Sequence, residues 1–474
     1  MFLFCLPNWV WGQWEEATPL FITKDTTKQV IGKEHFTISA DQRLHLIYQE
    51  IPIAGGSALF YTQREANGGW TSPTFINQDG LLVFNASLST HPTLSDPYIA
   101  YQANQNAESE IVFAFRTLDD IWLTEQLTEN NLLDISPSIK ADPTGGIHIC
   151  WVREQEDGEF ILMYAYRASE NSGWNISRIP DALPGELGEA ANPILAVNDA
   201  GEVHITFRSG RITSLRISYA YLSEQEAEWE VETLPIYNSN EFEHALAIDI
   251  DGRPKVVIGG LFSNNNWRVY EQKRNEEGEW RERKVIVSSG RGGLSSFWID
   301  EQGFTHILIN VLFNSVPNGR VNYYENTSGS YRVRVLMGNG VVFSNVVNNA
   351  TVVMNPAGQA FCAAYLGLTP EQQDIVVFGS ENMIATSISS PIISSPISVY
   401  PNPTQQVIHI DIPANVSFTE VSLHRIDGSK VLSKRFSGNG GQAYTLDVST
   451  VRAGIYMLQT TLDGRVIHQL MVKE

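Results

Sequence analysis

The chain has 474 residues, with 32 Lys and Arg against 53 Asp and Glu, a formal charge of −21. That balance argues against a phosphate-backbone partner, so no nucleic acid is expected, and it suits an anionic membrane surface poorly. No stretch approaches the ~18 apolar residues of a membrane helix, and the length calls for several cores or a closed repeat array.

Residues 1–13 open apolar and without a basic start, and they are read as the remnant of a secretory signal that begins further upstream. Cys5 would leave with it. Trp14-Glu15-Glu16-Ala17-Thr18-Pro19-Leu20 follows, an aromatic opening a short strand. The same opening recurs at Trp70, Trp122, Trp174, Trp229, Trp280 and Tyr331, with gaps, by subtraction, of 52, 52, 55, 51 and 51. The next member is due near 383, where the chain reads Glu381-Asn382-Met383-Ile384 instead. The N-terminal copy therefore supplies the strand that the last unit lacks.

A second marker is turn chemistry: Asp142…Gly145, Asn198…Gly201, Asp249…Gly252, Asp300…Gly303 and Asn355…Gly358. The Asx side chain bonds the turn backbone and glycine takes the positive φ. Two earlier copies, at Asp41 and at Ser95-Asp96, read as shorter turns. Each turn joins two alternating runs, such as His148-Ile149-Cys150-Trp151, and a third run follows. Four short strands per ~50 residues make one blade of a propeller. The fold class is thus all-β: a seven-bladed β-propeller over 14–380, closed by an N-terminal strand, with a small Ig-like β-sandwich behind it. Cys150 and Cys362 fall on equivalent strands of distant units, so both are expected as free buried thiols.

Residues 381–396 are Ser/Pro-rich and read as a linker. From Tyr400 on there are seven basic and six acidic residues, +7 − 6 = +1, which leaves −22 on the first 399. That shift marks a boundary. Short strands return over 397–474, with Asp427-Gly428 and Asp463-Gly464 as two-residue hairpin turns.

Four motifs stand in order in this tail: Tyr400-Pro401-Asn402-Pro403, then Ile426-Asp427-Gly428-Ser429-Lys430, then Gly454-Ile455-Tyr456, then Lys473-Glu474. Together they resemble the type IX secretion C-terminal sorting domain. The resemblance implies the type IX machinery as a partner. It also implies passage through the periplasm and a protein secreted or displayed on the outer cell surface.

Candidate chemistry lies elsewhere. The repeated His45, His148, His204 and His306 read as structural, because whole units separate them and Tyr98, Lys255 and Phe361 take the same place. The tryptophan column reads as packing between units. Arg178-Ile179-Pro180 spells a sialidase-like triplet, but at the end of an outer strand. Polar residues read as opening the first strand of each unit at the mouth of the central channel: His35, His91, Ser136, Asn192, His244, Ser295 and Asn349. The loops before them add Asp134, Glu189, Glu241, Glu243 and Arg291. Loops converge at such a rim, so it is the expected ligand site, with His35, His91, Ser136, Asn192, Glu243, His244, Ser295 and Asn349 as its donors and acceptors.

No nucleophile–base pair, phosphate loop or zinc spacing is visible, so no cofactor or metal is expected. A binding module for a glycan or a surface protein is favoured. The alternatives are a carbohydrate-active hydrolase or lyase using rim carboxylates, and a structural adhesin.

Overall fold

The computed structural model falls into two compact units, Met1–Ile384 and Ala385–Glu474. In the first it describes residues 18–19, 26–29, 34–52, 57–64, 69–77, 81–105, 108–117, 121–170, 172–184, 187–211, 213–223, 228–235, 240–261, 267–280, 283–287, 292–311, 320–327, 329–337, 350–369 and 372–379. In the second it describes 398–400, 404–411, 417–425, 430–439, 443–462 and 465–473. Trp14, residues 1–13 and the 381–396 segment lie outside the described residues.

Seven antiparallel sheets are described in the first unit. Sheet I holds Phe36–Ile38, Leu44–Pro52, Ala58–Arg64 and Thr74–Phe75, with Thr26–Gln29 added on Leu44–Pro52. Sheet II holds Leu82–Thr90, Pro97–Gln105, Glu108–Arg116 and Trp122–Gln126; sheet III holds Asp134–Ala141, Ile147–Glu154, Phe160–Arg167 and Asn175–Arg178. Sheet IV holds Ile194–Val197, Val203–Arg211, Ser214–Leu222 and Trp229–Thr233; sheet V holds Asn240–Ile248, Pro254–Leu261, Trp267–Lys273 and Lys284–Val287. Sheet VI holds Gly292–Ile299, Thr305–Val311, Arg320–Glu325 and Arg332–Met337. Sheet VII holds Thr351–Met354, Ala360–Thr369 and Gln372–Gly379, and its fourth strand is Thr18–Pro19, with Thr18 opposite Val377 and Pro19 opposite Val376.

The first strands touch in a closed circuit from sheet I through sheet VII and back to sheet I. Burial follows that circuit. Ile147–Val152 is buried at every position, because neighbouring sheets cover both faces, whereas the outer strand Asn175–Arg178 is exposed throughout. Among the described residues no helix is long and apolar enough to cross a membrane.

In the second unit, Ser398–Tyr400, Val407–Asp411 and Ala443–Asp447 form one sheet. The other is formed by Ser417–Arg425, Lys430–Asn439, Gly454–Leu462 and Arg465–Lys473. Ile408, Ile410, Val421, Leu423, Leu446 and Leu458 share one core between them. Gly454 opens its strand opposite Lys473, Lys473 is 8% exposed, and the buried Tyr456 donates to Arg452 O at 2.8 Å. Pro401, Asn402, Pro403, Asp427 and Gly428 lie outside the described residues.

The hairpins follow the expected chemistry. Asp142 Oδ1 accepts the N–H groups of Thr144 at 2.7 Å and Gly146 at 2.9 Å, while Gly145 sits at φ +93°. The two turns expected to be shorter are not. Sheet I closes from Ser39 N to Arg43 O, the length of the others, and sheet II runs one residue longer, from His91 N to Asp96 O. Gln42 and Ser95, at φ 65° and 64°, take the left-handed position that glycine fills elsewhere, which hid both turns from a search for glycine.

From the turn a relay runs outward. Asp142 Oδ2 meets His148 Nε2 at 3.0 Å, His148 Nδ1 meets Tyr164 Oη at 2.6 Å, and Tyr164 packs edge-on against Trp229 of sheet IV, ring centroids 5.1 Å apart. Sheet I repeats it with Ser39, His45, Tyr61 and Trp122. Sheet IV keeps His204, Tyr219 and Trp280; sheet VI keeps Asp300, His306 and Tyr323. Sheet V carries Lys255 in the histidine place, 3.9 Å from Glu271, which accepts from Tyr331 Oη at 2.5 Å. Trp70 and Trp280 make isolated bridges to Arg64 and Arg274 ahead of their outer strands rather than opening them. Cys150 and Cys362 are free and buried, and burial pushes both thiols up.

Burial, reinforced by Arg43 and Arg116, pulls His45 down to about 3, and burial pulls His204 down to about 4. Both stay neutral when folded, while the unfolded chain takes up protons below about pH 6.5. Stability should therefore fall as pH drops from 6.5 toward 4, by about 1.4 kcal/mol per unit for each histidine well below its unfolded value. Urea unfolding at pH 7.5, 6 and 5 measures this slope, and His204→Asn should reduce it. An unchanged slope in that variant would contradict the assignment.

Deleting residues 1–22 removes the fourth strand of sheet VII and exposes the Gln372–Gly379 edge. The expected loss is about 2–4 kcal/mol in urea titration, with a raised tendency to associate. Unaltered unfolding of the truncated chain would show that Thr18–Pro19 contributes nothing to closure.

Candidate functional site at the channel mouth

Four of the seven first strands of the larger unit share a local break. Pairing with the second strand shifts between Phe84 and Ser87, Ile135 and Ser138, Glu241 and Glu243, and Leu294 and Ser296. Asn85 (φ 41°) and Ser136 (φ 55°) lie inside the breaks of sheets II and III, and Asn192 (φ 45°) ends the short 3-10 turn Gly188–Ala191 ahead of the first strand of sheet IV; all three are non-glycine residues in the left-handed region. Asparagine tolerates that region better than most side chains, and strain of this kind gathers where a site over-determines the backbone.

Just past the breaks, hydroxyls tie three of the first strands to the next. Ser87 Oγ accepts the Ile139 N–H at 3.0 Å, Ser138 Oγ accepts the Leu195 N–H at 3.0 Å, and Ser296 Oγ accepts the Val352 N–H at 3.1 Å. Glu34, just before sheet I, reaches across to sheets II and III. Its Oε2 accepts from Ser87 Oγ at 2.7 Å and from Ser138 Oγ at 2.6 Å, and its Oε1 lies 2.7 Å from Lys140 Nζ. Its backbone oxygen accepts the Leu88 N–H at 2.7 Å. A small recess is bounded by Glu34, Asn85, Ser136 and Asn192. Glu34 and Ile194 also border a cavity of about 340 Å³ among the first strands.

The expected rim residues are dispersed. Ser136 and Asn192 border the recess. Ser295 is buried in the wall of the larger cavity. Glu243 is half-buried, and its carboxylate accepts the Leu294 N–H of sheet VI. His35 and His244 were expected to be partly exposed, yet both are fully buried. His35 Nδ1 lies 3.3 Å from Thr351 Oγ1, and His244 Nε2 donates to Thr206 O at 3.2 Å.

His91 does not open a strand. It follows Leu82–Thr90, at the hairpin end, where its Nδ1 accepts the N–H groups of Thr93 at 3.2 Å and Leu94 at 3.0 Å, as Asp142 does in sheet III. Asn349 and Arg291 lie outside the described residues, as does the Glu189 side chain.

The register explains the dispersal. Counting six back from the hairpin residues gives Asn85 from His91, Ser136 from Asp142, Asn192 from Asn198, Glu243 from Asp249 and Asn349 from Asn355, with Lys33 from Ser39 and the apolar Leu294 from Asp300. His244 and Ser295 stand one residue beyond that column, and a slip of one residue turns a side chain to the opposite face. Counting from the hairpin would have found Asn85. Glu34 and Lys140 carry no such signal, because their pairing crosses sheets.

The carboxylates near the strand openings are engaged. Asp134 accepts from Trp151 Nε1 at 2.6 Å, Arg153 Nε at 2.7 Å and Asn130 Nδ2 at 2.7 Å, and Glu241 accepts from Tyr270 Oη. Both Glu241 and Tyr270 are buried. Arg178 is exposed on an outer strand. Among the described residues no group of three His, Cys, Asp or Glu is placed to hold a metal ion.

Residues 398–474 match the secretion system C-terminal sorting domain family. The tail is therefore a type IX sorting domain, and it directs export through the periplasm to the medium or the outer surface. No curated protein matches this sequence. Among solved structures, the chain is similar to an ulvan lyase of polysaccharide lyase family PL25 bound to -[GlcA(1-4)Rha3S]- (TM-score 0.51, 11% identity, 76% of this chain and 95% of that one). It is also similar to a protein of unknown function from Dyadobacter fermentans DSM 18053 (0.49, 9%, 78% and 99%). A Trypanosoma rangeli sialidase in complex with sialic acid is a third (0.45, 9%, 96% and 88%). The successive four-stranded antiparallel sheets share the all-β, propeller-like fold of that lyase.

Glu34→Ala removes the acceptor of two serine hydroxyls and leaves Lys140 without its 2.7 Å partner. The expected cost is about 2–4 kcal/mol by urea titration, and Glu34→Gln should recover part of it through the serines. An Ala variant as stable as the parent would remove Glu34 from the account.

Proposed function

We propose that residues 14–380 form a seven-bladed β-propeller closed by the N-terminal strand. A leader at 1–13, a linker at 381–396 and an Ig-like sorting sandwich at 397–474 complete the chain. The protein is an exported binding module, and the channel mouth holds its ligand, a glycan. The type IX secretion machinery handles the tail. The observation that carries the reading is the column of Asn85, Ser136 and Asn192, held at positive φ around one recess in three successive sheets. Glu243 and Asn349 stand at the same count from their hairpin residues in the sequence. Amide and hydroxyl groups converging on one spot suit a polyol, which needs donors and acceptors together.

Binding is favoured over hydrolysis or elimination because Glu34, Asp134, Glu241 and Glu243 are each committed to a structural partner. None is left to act as an acid or base.

A glycan array with the full chain should yield binding that drops at least tenfold in Asn85→Gly and Asn192→Gly, with little change in Tm. Glycine keeps the left-handed backbone and removes only the amide. Full binding in both variants would move the site elsewhere. Cells expressing a chain cut before residue 398 should retain it in the periplasm, as followed by fractionation. Its appearance at the cell surface would show that export does not depend on the sorting domain.

A further inference from the structure

The cavity of about 340 Å³ inside the circuit of first strands has two unlike walls. One side presents Glu34, Lys140 and Ser89; the other presents Ile194, Ala245, Phe297 and Val352. On the apolar side stands Ser295, which lines the cavity, is 2% exposed and has no partner for its hydroxyl among the described residues. A buried hydroxyl without a partner costs about 1–3 kcal/mol, so the position asks for a donor or acceptor from a ligand.

We infer that this cavity receives one neutral sugar residue, the terminal unit of the glycan whose chain lies at the mouth. The inference rests on the glycan reading and names the kind of sugar. The size is at the lower end of small-molecule sites, enough for a single pyranose with water and too little for a longer oligosaccharide. A pyranose has an apolar face of C–H groups and a rim of hydroxyls, which matches Phe297 and Val352 with Ser295 among them on one side and Ser89 on the other.

Charge decides between neutral and acidic sugars. Lys140 is the cation of the lining, and Glu34 already neutralises it at 2.7 Å; the two serine hydroxyls occupy the other Glu34 oxygen. A uronate, sialate or sulfate would have to displace Glu34 or enter without a counter-charge, and desolvating an unpaired anion is strongly unfavourable.

Ligand-observed NMR with the full chain tests this, using methyl glycosides of glucose, galactose, mannose and N-acetylglucosamine beside glucuronic acid and N-acetylneuraminic acid. At least one neutral glycoside should bind and both acids should not. Ser295→Ala should weaken the neutral sugar about fivefold or more, and Ala245→Phe, which fills the apolar side, should abolish it. Should Ala245→Phe fail to fold, Ser295→Ala still decides. Binding of the acids alone would overturn the charge argument. Neutral binding unaffected by both substitutions, or an array that is positive while no monosaccharide binds, would overturn the cavity assignment and leave the glycan reading standing. If neither the array nor any monosaccharide binds, both fall.

Discussion

A sheet that buries both of its faces must have a neighbour on each side, and that requirement governs the larger unit. Seven sheets meet it only if the seventh returns to the first. Two pieces of the N-terminal segment make the return. Thr18–Pro19 completes sheet VII, and Glu34, sixteen positions on by subtraction (34 − 18), clasps sheets II and III from the threshold of sheet I. Between them the chain enters sheet I, so one short stretch bears on four sheets. The serine hydroxyls at Ser87, Ser138 and Ser296 extend the same logic by joining neighbouring first strands that belong to separate sheets.

Much of this was legible in the sequence because it rests on local chemistry. Asx side chains that cap a turn, glycine at positive φ and an aromatic every fifty or so residues each act over a few positions, and their spacing survives in one dimension. The absent seventh aromatic pointed to an N-terminal closing strand, and Thr18–Pro19 pairs where that strand was due. The histidines read as structural are each bonded to a tyrosine of their own third strand, and His45, His148 and His306 to their hairpin as well.

The candidate site was less legible, for a physical reason. The first strands carry an inserted residue at the break, and alternation counted through a bulge places side chains on the wrong face. His244 and Ser295 were displaced in this way. His91 went astray for a different cause: an imidazole nitrogen replaced the usual Asx oxygen as the acceptor of the turn, so the hairpin read as a shorter turn at Ser95-Asp96 and its capping residue read as a strand opener. Glu34 precedes the repeat entirely. Its role depends on three sheets meeting in space, which no periodicity encodes.

The sorting tail fixes the destination of the protein, and the mouth of the channel is where its ligand is proposed to bind. Amide hydrogen exchange on the full chain, with and without a glycan found by array, tests that proposal most directly. The account predicts added protection in the first strands of sheets II to IV, at residues 82–90, 134–141 and 194–197, with the outer strands unchanged. Protection confined to the outer strands or to the hairpins around His91 and Asp142 would contradict it.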